Sequence, residues 1–297
     1  MGSLKIFALA GVMAVSASAI ASAADLAYAP PPPPPPELKG TIGGGWYLRG
    51  DVGVGVQSYG DLDVRLNGGP VLGAAGVTSF NTVKSKSDFT GFAGVGVGYQ
   101  FNNYLRFDLT GEYRGGSING RDQLSYDFGT PTDQINTYRA DIASFVGLAN
   151  AYIDLGTWNC LTPYLGAGIG FANHTVNGLS DMGINQAVGG GANVSFAYAD
   201  SATKTTVAWA LMAGVSYDVT PNLKLDIGYR YLNLGDGPTM GLRGAAGLLA
   251  NPSSSVRFKD LDSHDIRIGM RWNFSDPSCC GPVERPVAYA APVVRKY

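Results

Sequence analysis

The run LKLDIGYRYLNL, residues 223–234, places Leu223, Leu225, Ile227, Tyr229 and Tyr231 on one side and Lys224, Asp226 and Arg230 on the other, because successive side chains of a strand point to opposite faces. Eight such runs follow one another, at 46–59, 89–101, 104–114, 139–155, 163–171, 205–219, 223–234 and 264–274. In the first, Leu48, Val52 and Val54 oppose Arg49 and Asp51; in the third, Leu105, Phe107, Leu109 and Tyr113 oppose Arg106, Asp108, Glu112 and Arg114. The sixth sets Val207, Trp209, Leu211, Ala213, Val215 and Tyr217 against Thr206, Ser216 and Asp218, and the last sets Ile266, Ile268, Met270, Trp272 and Phe274 against Asp265, Arg267 and Arg271. Only the fourth run leaves its two faces undecided.

A soluble sandwich could bury the apolar faces and wet the charged ones. Aromatics argue otherwise, since Trp46, Tyr99, Phe101, Tyr217, Tyr229, Tyr231, Trp272 and Phe274 lie at strand ends on the apolar side, where the two girdles of a membrane barrel belong. The pattern predicts an all-β, eight-stranded antiparallel up-and-down transmembrane β-barrel with lipid outside and charges in the lumen. The gaps between runs alternate long and short, NN and TPN being short, which puts four long external loops at one end and tight turns in the periplasm.

The N-terminus agrees on the compartment. Lys5, the apolar stretch 6–20 and the triplet Ala21, Ser22, Ala23 form a secretory signal over residues 1–23, cut after Ala23 or the next alanine. Residues 24–44 include a run of prolines at 30–36; consecutive prolines lack amide donors and favour an extended polyproline helix, so this periplasmic segment reads as a stiff spacer or a docking segment. The barrel is expected over 45–274 and a periplasmic tail over 275–297, both termini lying on the same side because the strand count is even. With 42 glycines, 16 tyrosines, 12 phenylalanines and only 15% charged residues, the composition suits an exported β protein. A net charge of −2 and a pI near 5.6 provide no basic field for nucleic acid.

Eight strands close around an interior that side chains just fill. The inward set comprises Arg49, Arg106, Arg114, Lys224, Arg230, Arg267 and Arg271 with Asp51, Asp108, Glu112, Asp226 and Asp265, and Asp154 and Asp218 at the periplasmic rim. Such nearly cancelling charges fit a plugged lumen, since buried ions persist when paired. Gly53, Gly55, Gly94, Gly96, Gly98, Gly166 and Gly168 leave the arginines room to cross. The GVGVG at 94–98 alternates within a strand, unlike a phosphate loop, which needs a following helix N-terminus.

Strand counting also gathers the cysteines. Cys160 falls in the periplasmic turn between the fourth and fifth runs, and Cys279 and Cys280 lie in the tail on the same oxidising side, which predicts a disulfide from Cys160 to one of the two.

Gly269, Trp272 and Phe274 in G-x-x-W-x-F spacing resemble the closing-strand signal read by the barrel assembly machinery. Together with TPYLGAGIGF (162–171), LKLDIGYRYLNLGD (223–236) and ANAYIDLGTW (149–158), the chain resembles the small outer-membrane β-barrel proteins of alphaproteobacteria, the opacity-type porin and surface-antigen group. That resemblance implies a cell outer membrane location among lipid and lipopolysaccharide, a role in envelope integrity and contact with a host surface; the tail beyond Phe274 departs from it. The leading expectation is a non-enzymatic protein with no cofactor or metal, presenting its loops outward, the proline segment and tail reaching toward the cell wall. A small pore is the alternative. Haemin capture would draw on His174, Met182 and Met240 in the external loops. A lipid A-modifying enzyme would need a histidine base, but His264 faces lipid while the adjacent Ser263 faces the lumen, so neither activates the other.

Overall fold

The computed structural model describes residues 45–66, 69–71, 74, 76–83, 89–127, 129–187, 189–244 and 254–274; the signal, proline segment and tail lie outside them. The described strands are β1 (Gly45–Leu66), β2 (Gly69–Pro70), β3 (Val77–Val83), β4 (Phe89–Gln100), β5 (Leu105–Asp127), β6 (Pro131–Asp154), β7 (Leu161–Ala187), β8 (Ala192–Ala199), β9 (Ala202–Asp218), β10 (Leu223–Gly235), β11 (Met240–Gly244) and β12 (Ser255–Asn273). Antiparallel pairing runs β1–β4–β5–β6–β7–β9–β10–β12 and returns from β12 to β1. Eight strands thus close a ring, which removes the exposed edges an open sheet would carry. Among the described residues no helix is long and apolar enough to cross a membrane, and the crossing is made by strands.

Short turns join the strands at one end. Asn102 Oδ1 accepts the amides of Tyr104 and Leu105, both at 2.8 Å, and Thr220 Oγ1 accepts that of Leu223 at 3.0 Å, each side chain closing its own turn. Between β6 and β7, Trp158 and Leu161 exchange backbone hydrogen bonds of 2.9 Å across Asn159 and Cys160, whose φ angles are 49° and 68°. Two left-handed residues in a two-residue loop match the twist of a hairpin, a position glycine fills best after asparagine.

The fourth run, undecided in the sequence, resolves cleanly. Ser144, Val146, Leu148, Asn150, Tyr152 and Asp154 point inward, and Phe145, Ala149, Ala151 and Ile153 outward.

The segments expected to be long external loops are largely strand. β5, β6 and β7 are 23, 24 and 27 residues long, where about 9–11 suffice to cross a bilayer. Above the crossing segment the pattern inverts: Ile118, Leu124, Tyr138, Ala140, Ile142, Val176, Leu179 and Phe258 are buried inside, while Arg121, Gln123, Arg139 and Asp141 are exposed outside. Here water replaces lipid, so the apolar side turns inward as in a soluble protein. β8 pairs with β7 and β11, and β11 with β12, so these two short strands take the places of β9 and β10 at the far end. A scan for apolar-outward runs ends where lipid ends, which is why the sequence pattern stopped short.

Candidate functional site

The outer surface carries an apolar belt. From Phe274 to His264, outward residues Trp272, Met270, Ile268 and Ile266 are half or more exposed, and ten residues of strand tilted about 40° rise roughly 25 Å, the height of a barrel's hydrocarbon band. Trp46, Phe101, Tyr217, Trp272 and Phe274 are exposed at the turn end, with Tyr99 edge-on to Trp46 at 5.3 Å. Tyr229 and Tyr231 face outward near the opposite edge. The sequence reading missed Tyr104, Trp158 and Trp209, exposed by 63%, 62% and 40%; Trp209 lay on an outward face already assigned, and the other two flank turns.

Inside the belt, Arg49, Arg106, Arg114, Lys224, Arg230, Arg267 and Arg271 and the anions Asp51, Asp108, Glu112, Asp154, Asp218, Asp226 and Asp265 are all buried. Seven cations balance seven anions in charge, and six of the cations form ion pairs. Arg49 clasps Asp51 in a bidentate pair of 2.7 and 2.8 Å and reaches Asp108 at 2.8 Å and the Tyr152 hydroxyl at 2.9 Å. Arg230 clasps Glu112 at 2.7 and 2.9 Å and donates to Asp265 at 2.7 Å. Arg114 shares both acids, at 3.3 and 2.9 Å, and Phe92 lies under both guanidiniums, 5.3 Å from Arg114 and 4.9 Å from Arg230. Arg106 bonds Asp154 at 3.1 Å and stacks on Tyr152 at 4.1 Å and Tyr164 at 4.7 Å. Lys224 meets Asp218 at 3.0 Å and Arg271 meets Asp226 at 3.5 Å. Arg267 forms no ion pair among the described residues; its guanidinium donates to the Tyr164 hydroxyl at 3.5 Å.

The named glycines admit this network. A Cβ on Gly96 would stand 3.0 Å from Arg49 Cγ, and one on Gly98 would enter the Tyr47 ring. Tyr47 donates to Asp108 at 3.1 Å, so the gap at Gly98 seats the ring that anchors that acid. Val146 and Met212 lie level with the ions, opposite Glu112 and Arg230; beyond them, away from the turn end, the filling becomes apolar, with Leu62, Ile142, Leu234, Phe258 and Leu261 buried in one cluster.

His174 corrects an expectation. It was placed in an external loop but lies fully buried within β7. Its Nε2 donates to the Leu234 carbonyl at 2.9 Å, which leaves Nδ1 to accept from Ser144 Oγ at 2.7 Å. Met240, also expected in a loop, is buried in β11, while Met182 faces outward on β7, so the three haemin candidates do not converge. Ser263 is buried and bonded to Asp265 at 2.6 Å and Arg114 at 2.8 Å.

Cys160 is disulfide-bonded. Its candidate partners Cys279 and Cys280 lie outside the described residues. Non-reducing peptide mapping of membrane-derived protein is expected to recover Cys160 linked to a peptide holding Cys279 or Cys280; a free Cys160 thiol would sink the pairing.

Two carboxyls lie in the strand extension beyond the belt. Asp122 is fully buried and accepts from Tyr138 at 2.7 Å and Asn136 at 2.8 Å; burial pushes it up from the usual carboxylate value. Burial, and then the Asp122 charge, push Asp181 up to about 7. A carboxyl raised on folding stabilises the fold in its protonated form, and that contribution is lost as pH climbs from about 4 through 7. Amide exchange in 134–139 and 180–185, corrected for intrinsic rates, is expected to be slower at pH 5 than at pH 8, and Asp181→Asn is expected to reduce the difference, leaving the part that the buried Asp122 contributes.

A closed eight-stranded ring with a lipid-facing apolar belt and an ion-filled lumen defines an outer-membrane β-barrel. The chain matches the family model described as outer membrane protein beta-barrel domain over residues 7–274 and belongs to that family. An uncharacterized protein of Brucella abortus (strain 2308) is 35% identical over 248 residues, covering 77% of this chain and 85% of its own. The outer membrane protein PagN of Salmonella typhimurium is 29% identical over 161 residues, 51% of this chain and 60% of its own. Among solved structures, Neisserial surface protein A aligns over 78% of this chain and 99% of its own at 22% identity and a TM-score of 0.39.

Proposed function

We propose that this protein is a non-enzymatic, non-conducting barrel that stabilises the envelope and carries a rigid external extension for surface contact. The filled lumen supports this reading most directly: a balanced ionic layer is backed by the Leu62–Ile142–Leu234–Phe258–Leu261 cluster, so an ion would face both fixed pairs and an apolar plug. The Ser144 hydroxyl, 2% exposed and held by His174, offers no accessible nucleophile. Single-channel recording of refolded protein is expected to show no stable steps; a large, steady conductance would favour the pore instead.

Surface contact draws support from the outer face of the extension. Ile135, Ile184 and Val194 align across β6, β7 and β8, with Met182 beside Phe196 one row away, and all five are exposed by 46% or more. Solvated sheets seldom display such rows without a use. Bacteria displaying the protein are expected to attach to host-cell monolayers, and a triple Ile184→Ser, Val194→Ser, Phe196→Ser chain to attach less at equal surface level. Equal attachment would remove these rows from the reading.

A further inference from the structure

The upper edge of the belt differs from one side of the barrel to the other. On β4 to β7 it shows Phe89, Tyr113, Phe145 and Phe171, exposed by 46–78%, as a simple collar would. On β9, β10 and β12 the rings form a ladder: Trp209 to Tyr231 at 5.3 Å, Tyr231 to His264 at 5.3 Å, and Tyr229 stacked on His264 at 6.1 Å. The register sets a polar row beside it, Trp209 pairing with Asn233, Asn233 with Asp262 and Asp262 with Ser58. Hydrogen bonds run within ladder and row, and a longer contact from Asp262 to His264 joins the two. Tyr229 Oη lies 2.6 Å from His264 Nδ1, Asp262 Oδ2 lies 3.8 Å from His264 Nε2, and Ser58 Oγ donates to Asp262 at 2.5 Å.

An aromatic collar meant only to anchor the barrel in lipid needs no carboxylate. Asp262 stands at the upper edge of the belt; Ser58 donates to one of its oxygens, and with a side chain 24% exposed it keeps lone pairs open to a further neighbour that donates hydrogen bonds. Sugars supply that chemistry: their C–H faces lie on aromatic rings, and their hydroxyl and amide groups donate to carboxylate and amide oxygens. We propose that Trp209, Tyr231, His264, Asn233 and Asp262 form a binding site for the saccharide headgroup of an outer-leaflet glycolipid. The site is continuous with the lipid-facing belt, so the acyl chains of the same molecule would lie against Ile266 and Ile227 below. It rests on the outer-membrane reading of the chain.

The full chain folded in zwitterionic detergent micelles tests it. Trp46, Trp158 and Trp272 sit at the turn end, so Trp209 is the tryptophan that reports at this edge. Lipopolysaccharide with a glucosamine headgroup is expected to change the fluorescence saturably, at a concentration at least tenfold below that needed with phosphatidylglycerol, which is anionic but lacks a sugar. Trp209→Leu is expected to remove the change, and Asp262→Asn combined with His264→Leu to raise the half-saturation at least tenfold while heat-modifiable gel mobility stays that of a folded barrel. Equal half-saturation for the two lipids, or a double variant within twofold of the parent, would overturn the site and leave only a collar. Equal half-saturation for soluble N-acetylglucosamine would overturn the lipid as the source of the sugar. Loss of heat-modifiable mobility in the parent chain itself would count against the barrel, and so is told apart from failure of the site.

Discussion

Arg230→Ala is expected to lower the unfolding free energy of the barrel by about 3–5 kcal/mol, the range for breaking a buried pair from one side. Arg230 holds both oxygens of Glu112 and one of Asp265 while being 3% exposed. Its removal leaves two buried acids sharing Arg114 alone, and the lumen passes from neutral to a net negative charge. Arg230→Lys keeps the charge but loses the two-pronged grip on Glu112, so it should fall between parent and alanine. Arg243→Ala is the comparison: its partner Asp200 has a side chain 68% exposed, and a solvent-screened pair contributes little. Urea titration of vesicle-embedded protein reads all three. Coincident midpoints for Arg230→Ala and Arg243→Ala would mean that the lumen network does not hold the barrel together.

The second large effect lies on the opposite face. Leu211 is 53% exposed and faces outward on β9, paired with Ala167 of β7 and Tyr231 of β10. An arginine there must displace hydrocarbon, but just below the Tyr231 edge it costs less than the roughly 2–4 kcal/mol of mid-membrane. Ile227→Arg, 53% exposed on β10 and paired with Val215 and Ile268 nearer the middle of the belt, should cost that full amount. Gln123→Arg, outward on β5 in the water-facing extension, should cost almost nothing. The guanidinium is the same in each case, and only the solvent outside the strand differs. Equal yields of folded barrel from Leu211→Arg and Gln123→Arg would contradict the position of the belt.

Within the belt a single rule placed nearly everything. A strand has a period of two, so once Leu225, Ile227 and Tyr229 are taken as outward, Lys224, Asp226 and Arg230 must point in, whatever their partners. The fourth run resisted because its inner face mixes Val146 and Leu148 with Asn150 and Asp154, and its outer face is diluted by Gly147, Ala149 and Ala151. Small outward residues carry little hydrophobic signal, so polarity alone could not choose.

The sequence by itself therefore determined the class: a closed outer-membrane strand barrel whose apolar face meets lipid and whose charges fill the centre. Period and solvent decide this locally, residue by residue. Only the tertiary structure decided the partnerships. Arg114 meets Asp265 across 151 residues of sequence, because β12 returns to β1 and the network reaches from wall to wall. His174 reads locally as one histidine in a polar stretch; ring closure buries it between Ser144 and Leu234. His264 acquires Tyr229 from β10 and Asp262 from its own strand through register. The extension beyond the belt was hidden for a further reason: the same alternation continues past the bilayer with its polarity reversed, so a search for apolar-outward runs stops at the aromatic edge where lipid gives way to water.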